Sequence, residues 1–434
     1  MSNLYLSAMR EDLLHFVWKY QKFSGQSLMT TDKIAVQVKN PGTHNHGAGP
    51  DFFNARLLIG GQEWAGNVEL HVKSSDWYAH GHESDLNYNN VVLHVVWEDD
   101  VSVFRKDGSA IATLVLKDYL SRALLMGYRK LLEDSKKAFI NCEQDIASVD
   151  GFLLDNWLEG LFFERLEHKS AAVFELLDQC QNDWEKVLFS LLMKSFGSKV
   201  NGEAFLDIAR VLDFSIVRKV AHDALQLEAL LFGTAGLLHE DHLDVYHNQL
   251  KQSYGFLENK FNLGGVGIRP PAFYGLRPNN FPTLRLSQVA ALYHKVPNLF
   301  SEVVEAKRLS EIVSFFEVSA GEYWNSHYTF GKTSKESKKR LTKNFIELLV
   351  VNAIVPIKFC YAKQLGKNAD EELVELLSGI KPEQNGIIEK FKSAGLRSDN
   401  ALQTQAKIQL YNHYCTKNKC LQCAVGTSLL NGNF

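Results

Sequence analysis

The first 120 residues combine helical and strand-like patterns of apolar positions. Residues 10–23 carry leucine, valine and tryptophan at helical spacing, which predicts an amphipathic helix. The segments that show the alternation or short apolar run of a strand are 33–39, 52–59, 64–73 and 91–97. The pair Gly60-Gly61 predicts a hairpin turn between the second and third of these strands. The predicted order is therefore a helix, three strands, a loop or short helix, and a buried strand.

From about residue 119, the pattern becomes helical almost throughout. Leucine, alanine and phenylalanine recur at helical spacing beside charged faces in 152–166, 183–196, 203–212, 216–231 and 281–294. We therefore predict an α+β protein with two domains. An N-terminal domain with a mixed or antiparallel sheet occupies 1–120, and a larger all-helical domain occupies 121–434.

Composition and charge narrow the class of protein. The chain has 434 residues, of which 45% are hydrophobic and 22% charged, as in globular proteins with packed cores. A formal charge of −3 excludes a polybasic coat, and six cysteines are too few for a secreted disulfide scaffold. No secretory signal is visible, and the most apolar stretch, 348–362, is interrupted by polar residues and too short to span a bilayer. We expect a soluble cytoplasmic protein without a membrane partner, whose oligomeric state the sequence does not define.

The candidate chemistry is densest between residues 50 and 94. On the third predicted strand, Glu69, His71 and Lys73 share one face, so we expect a half-exposed strand with three polar groups in a row. Asp51 begins the preceding strand, and the predicted hairpin sets it opposite either Glu69 or His71. Two carboxylates and an imidazole can hold Mg²⁺ or Mn²⁺, which activates water and stabilises charge on a phosphate. Lys73 could add a positive charge for the same oxyanion.

The first domain resembles the PD-(D/E)XK nuclease superfamily. The resemblance lies in the order of helix, three antiparallel strands, helix and strand, in the literal Pro50-Asp51, and in Glu69-Leu70-His71 on the next strand. It implies a restriction-endonuclease-like order and metal-dependent hydrolysis of nucleic acid, with Asp51 and Glu69 as metal ligands. It also implies that Glu11 matches the extra acidic ligand that some members supply from the first helix. His71 stands where the superfamily has lysine, and its imidazole could bind metal or act as a base.

The whole sequence also resembles a bacterial family known only as a domain of unknown function. The segments that carry this resemblance include GPDFFNA at 49–55, GNVELH at 66–71, SSDWYAHGH at 74–82 and NNVVLHVV at 89–96. This second resemblance implies no activity.

A histidine-rich loop offers a second candidate metal site. His80 and His82 form His-x-His, which on an extended segment places both imidazoles on one face, as half of a zinc or manganese site. Asp76 or Asp85 could supply a third ligand or orient a histidine. A metal hydrolase centred on these histidines is therefore an alternative to the nuclease hypothesis. We expect His94, which lies among valines, to be a core histidine.

The late cysteines are the most specific pattern in the second half of the chain. Cys415, Cys420 and Cys423 form C-x4-C-x2-C, the spacing of three ligands in one ferredoxin-type iron–sulfur pattern, and zinc is equally compatible. The candidates for a fourth ligand are Cys142, Cys180, Cys360 and, for zinc, His413. Cys142 is favoured because it lies just after the first domain, and some PD-(D/E)XK nucleases similarly hold a cluster with one early and three late cysteines. Such a metal would stabilise the fold instead of taking part in catalysis.

Two basic segments predict a nucleic-acid-binding surface. In 332–343, the residues that we expect to share a helical face are Lys335, Lys338 and Lys339. The proline-rich loop 269–285 adds Arg269, Arg277 and Arg285, which could contact phosphates through paired hydrogen bonds. The sequence contains no motif typical of nucleotide hydrolysis, nicotinamide chemistry or serine hydrolysis.

These patterns together favour metal-dependent hydrolysis of phosphodiester bonds in DNA or RNA. Under this hypothesis Asp51 and Glu69 hold the ion, His71 acts as ligand or base, and Lys73 stabilises charge, while the helical domain positions the nucleic acid. An alternative from a different class is a catalytically inactive scaffold that binds nucleic acid or protein through the same groove.

Overall fold

The chain divides into two units, and the computed structural model describes its residues 10–23, 27–45, 47–132, 138–264 and 268–431. The first unit comprises Met1–Trp157, Lys390–Leu396 and Leu410–Phe434, and the second comprises Leu158–Glu389 and Arg397–Gln409. The units differ from the predicted division at residue 120, because the C-terminal cysteine segment belongs to the first unit together with the sheet. The α+β class, with a sheet region followed by a helical region, is confirmed.

A mixed sheet forms the centre of the first unit. Its strands are β1 (Leu28–Met29), β2 (Ala35–Asn40), β3 (Thr43–His44), β4 (Phe52–Ile59), β5 (Gln62–Lys73), β6 (Val91–Glu98) and β7 (Thr113–Val115). They are ordered β1-β2-β4-β5-β6-β7, and β3 also pairs with β4. The pairs from β1 to β5 are antiparallel, whereas β5, β6 and β7 run parallel. A helix, antiparallel strands, a short helix and a parallel strand therefore follow one another in the predicted order.

Several helices accompany this sheet in the first unit. The α-helices are α1 (Glu11–Lys19), α2 (Asp76–Ala79), α3 (Arg122–Leu132), the first residues of α4 (Gly151–Gln179) and α17 (Ala424–Asn431). Shorter 3₁₀ segments lie at Leu86–Tyr88, Leu116–Tyr119, Ile146–Ser148 and Cys420–Gln422, and a π-helical turn lies at Tyr411–Cys415.

The β4–β5 hairpin fixes the position of the predicted acidic pair. Its turn, Gly60-Gly61, has positive φ angles of 59° and 84°, as a tight two-residue turn requires. A β-bulge near the start of β4 then shifts the register by one residue, so that Phe52 pairs with Val68. This register sets Asp51 opposite Glu69, which is the first of the two predicted arrangements.

The central part of β5 is buried on both faces, so the prediction of a half-exposed strand was wrong. Glu69 is 4% exposed and His71 is 2% exposed, whereas the two ends of the strand, at residues 62–65 and at Lys73, reach solvent. The cause is tertiary, because α1 and α2 both pack against β5 and shield it from water. The polar face of this strand therefore lies in an interior where unpaired polar groups are costly.

Helices make up most of the second unit. After the remainder of α4 come α5 (Trp184–Val211), α6 (Phe214–Val220), α7 (Ala224–Thr234), α8 (Val245–Phe261), α9 (Pro282–Lys295), α10 (Leu299–Glu305), α11 (Leu309–Phe315), α12 (Lys343–Leu349), α13 (Val355–Gln364), α14 (Asp370–Ser378), the first half of α15 (Gly386–Ser393) and nearly all of α16 (Ala401–Leu410). Short 3₁₀ segments lie at Pro278–Asn280 and Glu322–Asn325. Aspartates at N-caps accept hydrogen bonds from backbone N–H groups and mark where several helices begin: Asp183, Asp213, Asp223 and Asp244. The hairpin of β8 (His327–Thr329) and β9 (Lys332–Thr333) was not predicted.

The most apolar stretch is a buried helical run. Helix α12, a π-helical segment at Val350–Ile354 and α13 together form Lys343–Gln364, which among the described residues is the one helix long and apolar enough to cross a membrane by length and composition. However, 67% of its most apolar window is buried inside the protein, as in the core helix of a soluble protein. Pro356 lacks the N–H that would bind the Asn352 carbonyl in an α-helix, and the π-helical segment accommodates this loss.

Candidate metal centre

Reciprocal hydrogen bonds hold Asp51 and Glu69 side by side. The Asp51 backbone N–H donates to Glu69 Oε2 at 3.0 Å, and the Leu70 backbone N–H donates to Asp51 Oδ2 at 2.9 Å. On α1, His15 Nε2 lies 3.2 Å from the same Asp51 oxygen. The β4–β5 pairing therefore orients both carboxylates through the protein's own backbone.

Three histidines lie close together, and two of them contact Glu69. One ring nitrogen from each of His71, His80 and His82 lies within 4.8 Å of the other two, and no other such group of histidine, cysteine or carboxylate ligands occurs in the described part of the chain. Glu69 Oε1 lies 3.5 Å from His71 Nε2 and 3.3 Å from His82 Nε2. His71 Nε2 also lies 3.2 Å from His80 Nδ1. Imidazole nitrogens and a carboxylate oxygen in this arrangement can bind a divalent transition metal.

The loop after β5 brings the predicted His-x-His pair to this point. Trp77 is fully buried on α2, and the His82 backbone N–H donates to the Trp77 carbonyl at 3.0 Å. Gly81 has a φ of 72°, which turns the chain between the two histidines. A short helix and a turn, instead of the expected extended segment, therefore place His80 beside His71 and His82 beside Glu69.

Further contacts orient the histidine rings. His71 Nδ1 lies 2.8 Å from His94 Nε2, and the His82 ring stacks on Tyr88 with ring centroids 3.7 Å apart. His94 is fully buried, as predicted for a core histidine, but it also contacts the candidate site. If His71 donates from Nδ1 to His94, its Nε2 carries a lone pair that can accept from His80 Nδ1 or bind a metal ion. Metal binding through His71 Nε2 requires this tautomer.

The pKa shifts in the cluster favour a bound cation. Burial, with the neighbouring imidazoles acting in the same direction, lowers the pKa of His71 to about 2, and burial lowers the pKa of His94 to about 3. Burial also raises the pKa of Glu69; Asp51's charge adds to this rise and the His82 hydrogen bond opposes it. His71 and His94 are therefore neutral near pH 7, and the negative charge on Glu69 is unfavourable without a positive partner. A divalent ion would use the free lone pairs and neutralise the carboxylate.

Helix α1 contributes two residues, one of which the sequence analysis missed. Burial and the charge on Asp51 raise the pKa of Glu11, whereas His15 and His80 lower it, so Glu11 lies near all three. Burial lowers the pKa of His15, but the hydrogen bond and charge of Asp51 outweigh this effect, and the net shift is upward. The signal for His15 was available, because its i,i+4 spacing from Glu11 places both on one face of the predicted helix.

Most of the predicted residues of this site come together. The group consists of Glu11, Asp51, Glu69, His71, His80 and His82. Lys73 lies at the exposed end of β5 and, within the described ranges, forms no ion pair with either strand carboxylate. His46, a further histidine in the sequence between β3 and β4, lies outside the described residues.

Cys142 and the late cysteines lie in the first unit. All six cysteines of the chain are described and none is in a disulfide. Burial raises the pKa of Cys142 to about 12, and the neighbouring Cys423 and Cys420 add to the effect, so these three thiols lie close to one another. Hydrogen bonds from the Val425 and Gly426 backbone N–H groups to Cys423 oppose the rise in its pKa that burial causes. No three cysteine sulfurs lie within 4.8 Å of one another in the described part of the chain.

The structure of the two basic segments differs from the predicted binding surface. Residues 334–339 are irregular, so the prediction that Lys335, Lys338 and Lys339 share a helical face was wrong. The segment is held extended, because Arg340 pairs with Ser319 in an isolated bridge. The exposed basic residues of the two segments include Arg269, Arg277, Lys335 and Lys338, whereas Arg285 and Lys339 are buried.

Comparison with known proteins assigns the chain to a family but does not assign it an activity. One family model, described as "Protein of unknown function (DUF2851)", matches residues 11–386. Neither the search of curated proteins nor the search of solved structures found a match. The predicted resemblance to a family of unknown function is therefore confirmed, while the resemblance to PD-(D/E)XK nucleases stays a prediction.

Proposed function

The chain belongs to the family of unknown function DUF2851, and we propose that it is a metal-dependent hydrolase of phosphodiester bonds in nucleic acid. The observation that carries the proposal is that ring nitrogens of His71, His80 and His82 lie close together and that His71 and His82 contact the buried carboxylate of Glu69. Each neutral imidazole carries one N–H, so His80 can donate to His71 in the absence of metal, and a divalent ion would take the place of that proton. Burial and the low pKa of His71 keep this imidazole neutral, which is the form that binds a metal ion.

The donor set favours a transition metal over Mg²⁺. The sequence alone suggested Mg²⁺ or Mn²⁺ at the Asp51–Glu69 pair, with ligands that are mostly oxygen. Three imidazoles instead suit Zn²⁺ or another late first-row ion, and the carboxylate keeps Mn²⁺ compatible. We therefore propose Zn²⁺ or Mn²⁺ held by His71, His80, His82 and Glu69, with Asp51 as the nearest further carboxylate.

The side chains around the ion would supply the other catalytic and positioning roles. A bound ion would lower the pKa of a coordinated water and stabilise negative charge on a phosphate. Asp51 holds the His15 ring by its Nε2, and its charge favours a proton on that ring, so His15 would serve as a proton donor to the leaving oxygen. His94 would keep the His71 ring in the binding tautomer.

The order of the helices and strands supports a phosphodiester as the substrate. A helix, antiparallel strands, a short helix and a parallel strand follow one another, with Asp51 at the start of β4 and Glu69 on β5. These positions match those that the resemblance to PD-(D/E)XK nucleases implies, with His71 in the place of lysine. The proposal therefore combines the acidic pair of that superfamily with a histidine-centred ion.

The direct test is hydrolysis by the full chain after removal and return of metal. We expect chelated protein to be inactive on bis(p-nitrophenyl) phosphate and on single- and double-stranded DNA and RNA, with Zn²⁺ or Mn²⁺ restoring cleavage more effectively than Mg²⁺. His82→Ala should lose activity by at least about 100-fold, while the exposed His222→Ala, in the second unit, should retain it.

Metal binding without cleavage would overturn the hydrolase proposal. If the wild-type chain binds Zn²⁺ or Mn²⁺ through these residues but cleaves none of the substrates, the second candidate applies, namely a catalytically inactive scaffold. The observation that favours this candidate is that Lys73 does not pair with Glu69 or Asp51 within the described residues, so the site lacks the cation of the superfamily.

We further propose that Cys142, Cys415, Cys420 and Cys423 hold an iron–sulfur cluster. Cys142 lies near Cys420 and Cys423 in the first unit, whereas Cys180 and Cys360 belong to the second. A single zinc ion at about 2.3 Å from each sulfur would draw the sulfurs within about 4 Å of one another. A cluster separates them further because the sulfurs bind different iron atoms, in agreement with sulfurs that do not crowd together.

Anaerobic purification tests the cysteine site. The wild-type chain and Cys180→Ser should carry iron and acid-labile sulfide with visible absorption, and Cys142→Ser should lose most of both. Stoichiometric zinc without sulfide, or undiminished iron in Cys142→Ser, would contradict the assignment. Six cysteines without a disulfide also agree with the reducing cytoplasm, where we propose that the protein resides.

A further inference from the structure

Two buried cations of the second unit lie in one cavity without a carboxylate. Arg285 on α9 is 8% exposed, and Lys339 in the extended segment before α12 is 6% exposed. Both line a cavity of about 380 Å³, together with Gln288, Lys338, Arg340 and Thr342. Within the described residues, neither Arg285 nor Lys339 forms an ion pair, and no acidic side chain lines the cavity.

Neutral groups hold the Arg285 guanidinium in place. Its Nη1 donates to Gln288 Oε1 at 2.9 Å and its Nη2 donates to Asn280 Oδ1 at 2.7 Å. The guanidinium carbon lies 3.6 Å from the centre of the Phe345 ring. Its Nε is buried and has no hydrogen-bond partner among the described residues. Arg285 is therefore oriented by its two Nη atoms, while its Nε is left without a partner among the described residues.

Lys339 is held in a similar way. Its Nζ donates to Ser337 Oγ at 2.6 Å and lies 4.1 Å from the centre of the Tyr328 ring. Gln288 connects the two cations, because its Nε2 donates to the Lys339 carbonyl at 3.0 Å while its Oε1 accepts from Arg285. Gln288 thus joins the Arg285 guanidinium to the backbone that carries Lys339.

A pair of buried cations without a counter-charge is unfavourable. Removing a charge from water costs several kcal/mol unless an opposite charge or strong hydrogen bonds compensate. Burial alone accounts for the lowering of the Arg285 pKa to about 10, with no carboxylate acting against it. Proteins retain such pairs where an anion supplies the missing charge.

We infer that the Arg285–Lys339 cavity binds a phosphate group. A phosphate carries up to two negative charges and enough acceptor oxygens for the Arg285 guanidinium, for Lys339 Nζ and for the exposed Lys338 and Arg340 at the cavity. The volume accommodates more than the phosphate itself, within the range of small-ligand sites. The phosphate belongs either to a free monoester or to a nucleic-acid backbone, and only the second source rests on the proposed function.

Calorimetric titration of the full chain without metal tests this inference. The probes are inorganic phosphate and a short oligothymidylate without terminal phosphates, each at fixed ionic strength because screening weakens surface contacts. We expect Lys339→Met to weaken binding about 10-fold or more, since it removes a charge-assisted hydrogen bond to the phosphate. Lys307→Met, at an exposed residue of the same unit that does not line the cavity, should bind within about twofold of wild type.

The thermal midpoint of unfolding separates lost binding from lost folding. Lys339→Met removes an uncompensated buried charge and keeps the apolar stem, so its unliganded midpoint should equal or exceed that of wild type. Binding of inorganic phosphate would assign the site to a free monoester, and binding of the oligonucleotide alone would assign it to a backbone diester. If neither probe binds, or if Lys339→Met binds like wild type, the inference is wrong. Because no hydrolysis is measured, this result does not depend on the activity of the metal centre.

Discussion

Glu69→Gln is expected to abolish hydrolysis and to weaken metal binding at the histidine cluster. Glu69 Oε1 is the carboxylate oxygen that faces both His71 and His82, at 3.5 and 3.3 Å. Glutamine preserves the shape and can still accept the Asp51 backbone hydrogen bond, but it removes the negative charge. We expect metal affinity to fall about 10–100-fold and kcat/KM to fall by at least about 10³-fold. Both quantities are measured on the chelated protein as Zn²⁺ or Mn²⁺ is titrated back.

Glu63→Gln is the matched control for this substitution. Glu63 lies on the same strand and is exposed near the hairpin turn. Its replacement by glutamine removes the same negative charge. Its variant should therefore retain metal affinity and kcat/KM within about twofold of wild type. Equal losses in both variants would indicate a general effect of charge, and unchanged activity in Glu69→Gln would remove this carboxylate from the mechanism.

The stability of unliganded Glu69→Gln distinguishes loss of function from loss of folding. Burial and the charge on Asp51 raise the pKa of Glu69, so the folded protein resists ionisation of this group. When folding raises the pKa of a carboxyl group, the folded protein loses stability as the pH rises above the pKa that the group has in the unfolded chain. Folding then requires either burial of the charge or uptake of a proton. The neutral amide avoids this loss. We therefore expect the thermal midpoint of the unliganded variant at pH 7 to equal or exceed that of wild type.

The sequence predicts those parts of the site that depend on local pattern. Alternation of polar and apolar residues located β4 and β5 to within a few residues, and the glycine turn restricted Asp51 to two registers. The spacing of His80 and His82 likewise indicated a shared site. These signals are contained in segments of a few residues, where the backbone period alone decides which side chains share a face.

The remaining parts depend on packing between distant segments. The burial of Glu69 and His71 results from helices covering β5, and no pattern within the strand encodes that cover. Arg285 and Lys339 lie in separate basic segments that were predicted to be exposed, yet a network through Gln288 joins them inside the second unit. The helical pattern expected in the lysine-rich segment failed because charged residues carry little periodic signal and the bridge at Arg340 holds the chain extended.

We expect Lys358→Met to lower the free energy of unfolding more than the loss of any other single charge in the second unit. Lys358 on α13 is 4% exposed, and its Nζ lies 2.7 Å from Glu372 Oε1. The same Nζ donates to the carbonyls at the end of α10, namely Val303, Val304 and Ala306, at 3.0, 3.0 and 2.8 Å. Methionine fills the volume but leaves these acceptors and the carboxylate without their donor. We expect the free energy of unfolding to fall by about 3–5 kcal/mol.

Lys363→Met on the same helix provides the contrast that identifies the cause. Lys363 also forms an ion pair, with Glu167, but both side chains are about half exposed, so its replacement should cost at most about 1 kcal/mol. Chemical unfolding followed by circular dichroism measures both variants. The double variant Lys358→Met/Glu372→Gln should recover part of the loss, because it removes the stranded carboxylate while the three carbonyls still lack a donor. If the two lysine variants lose similar amounts of unfolding free energy, burial of the ion pair does not determine how much it contributes to stability.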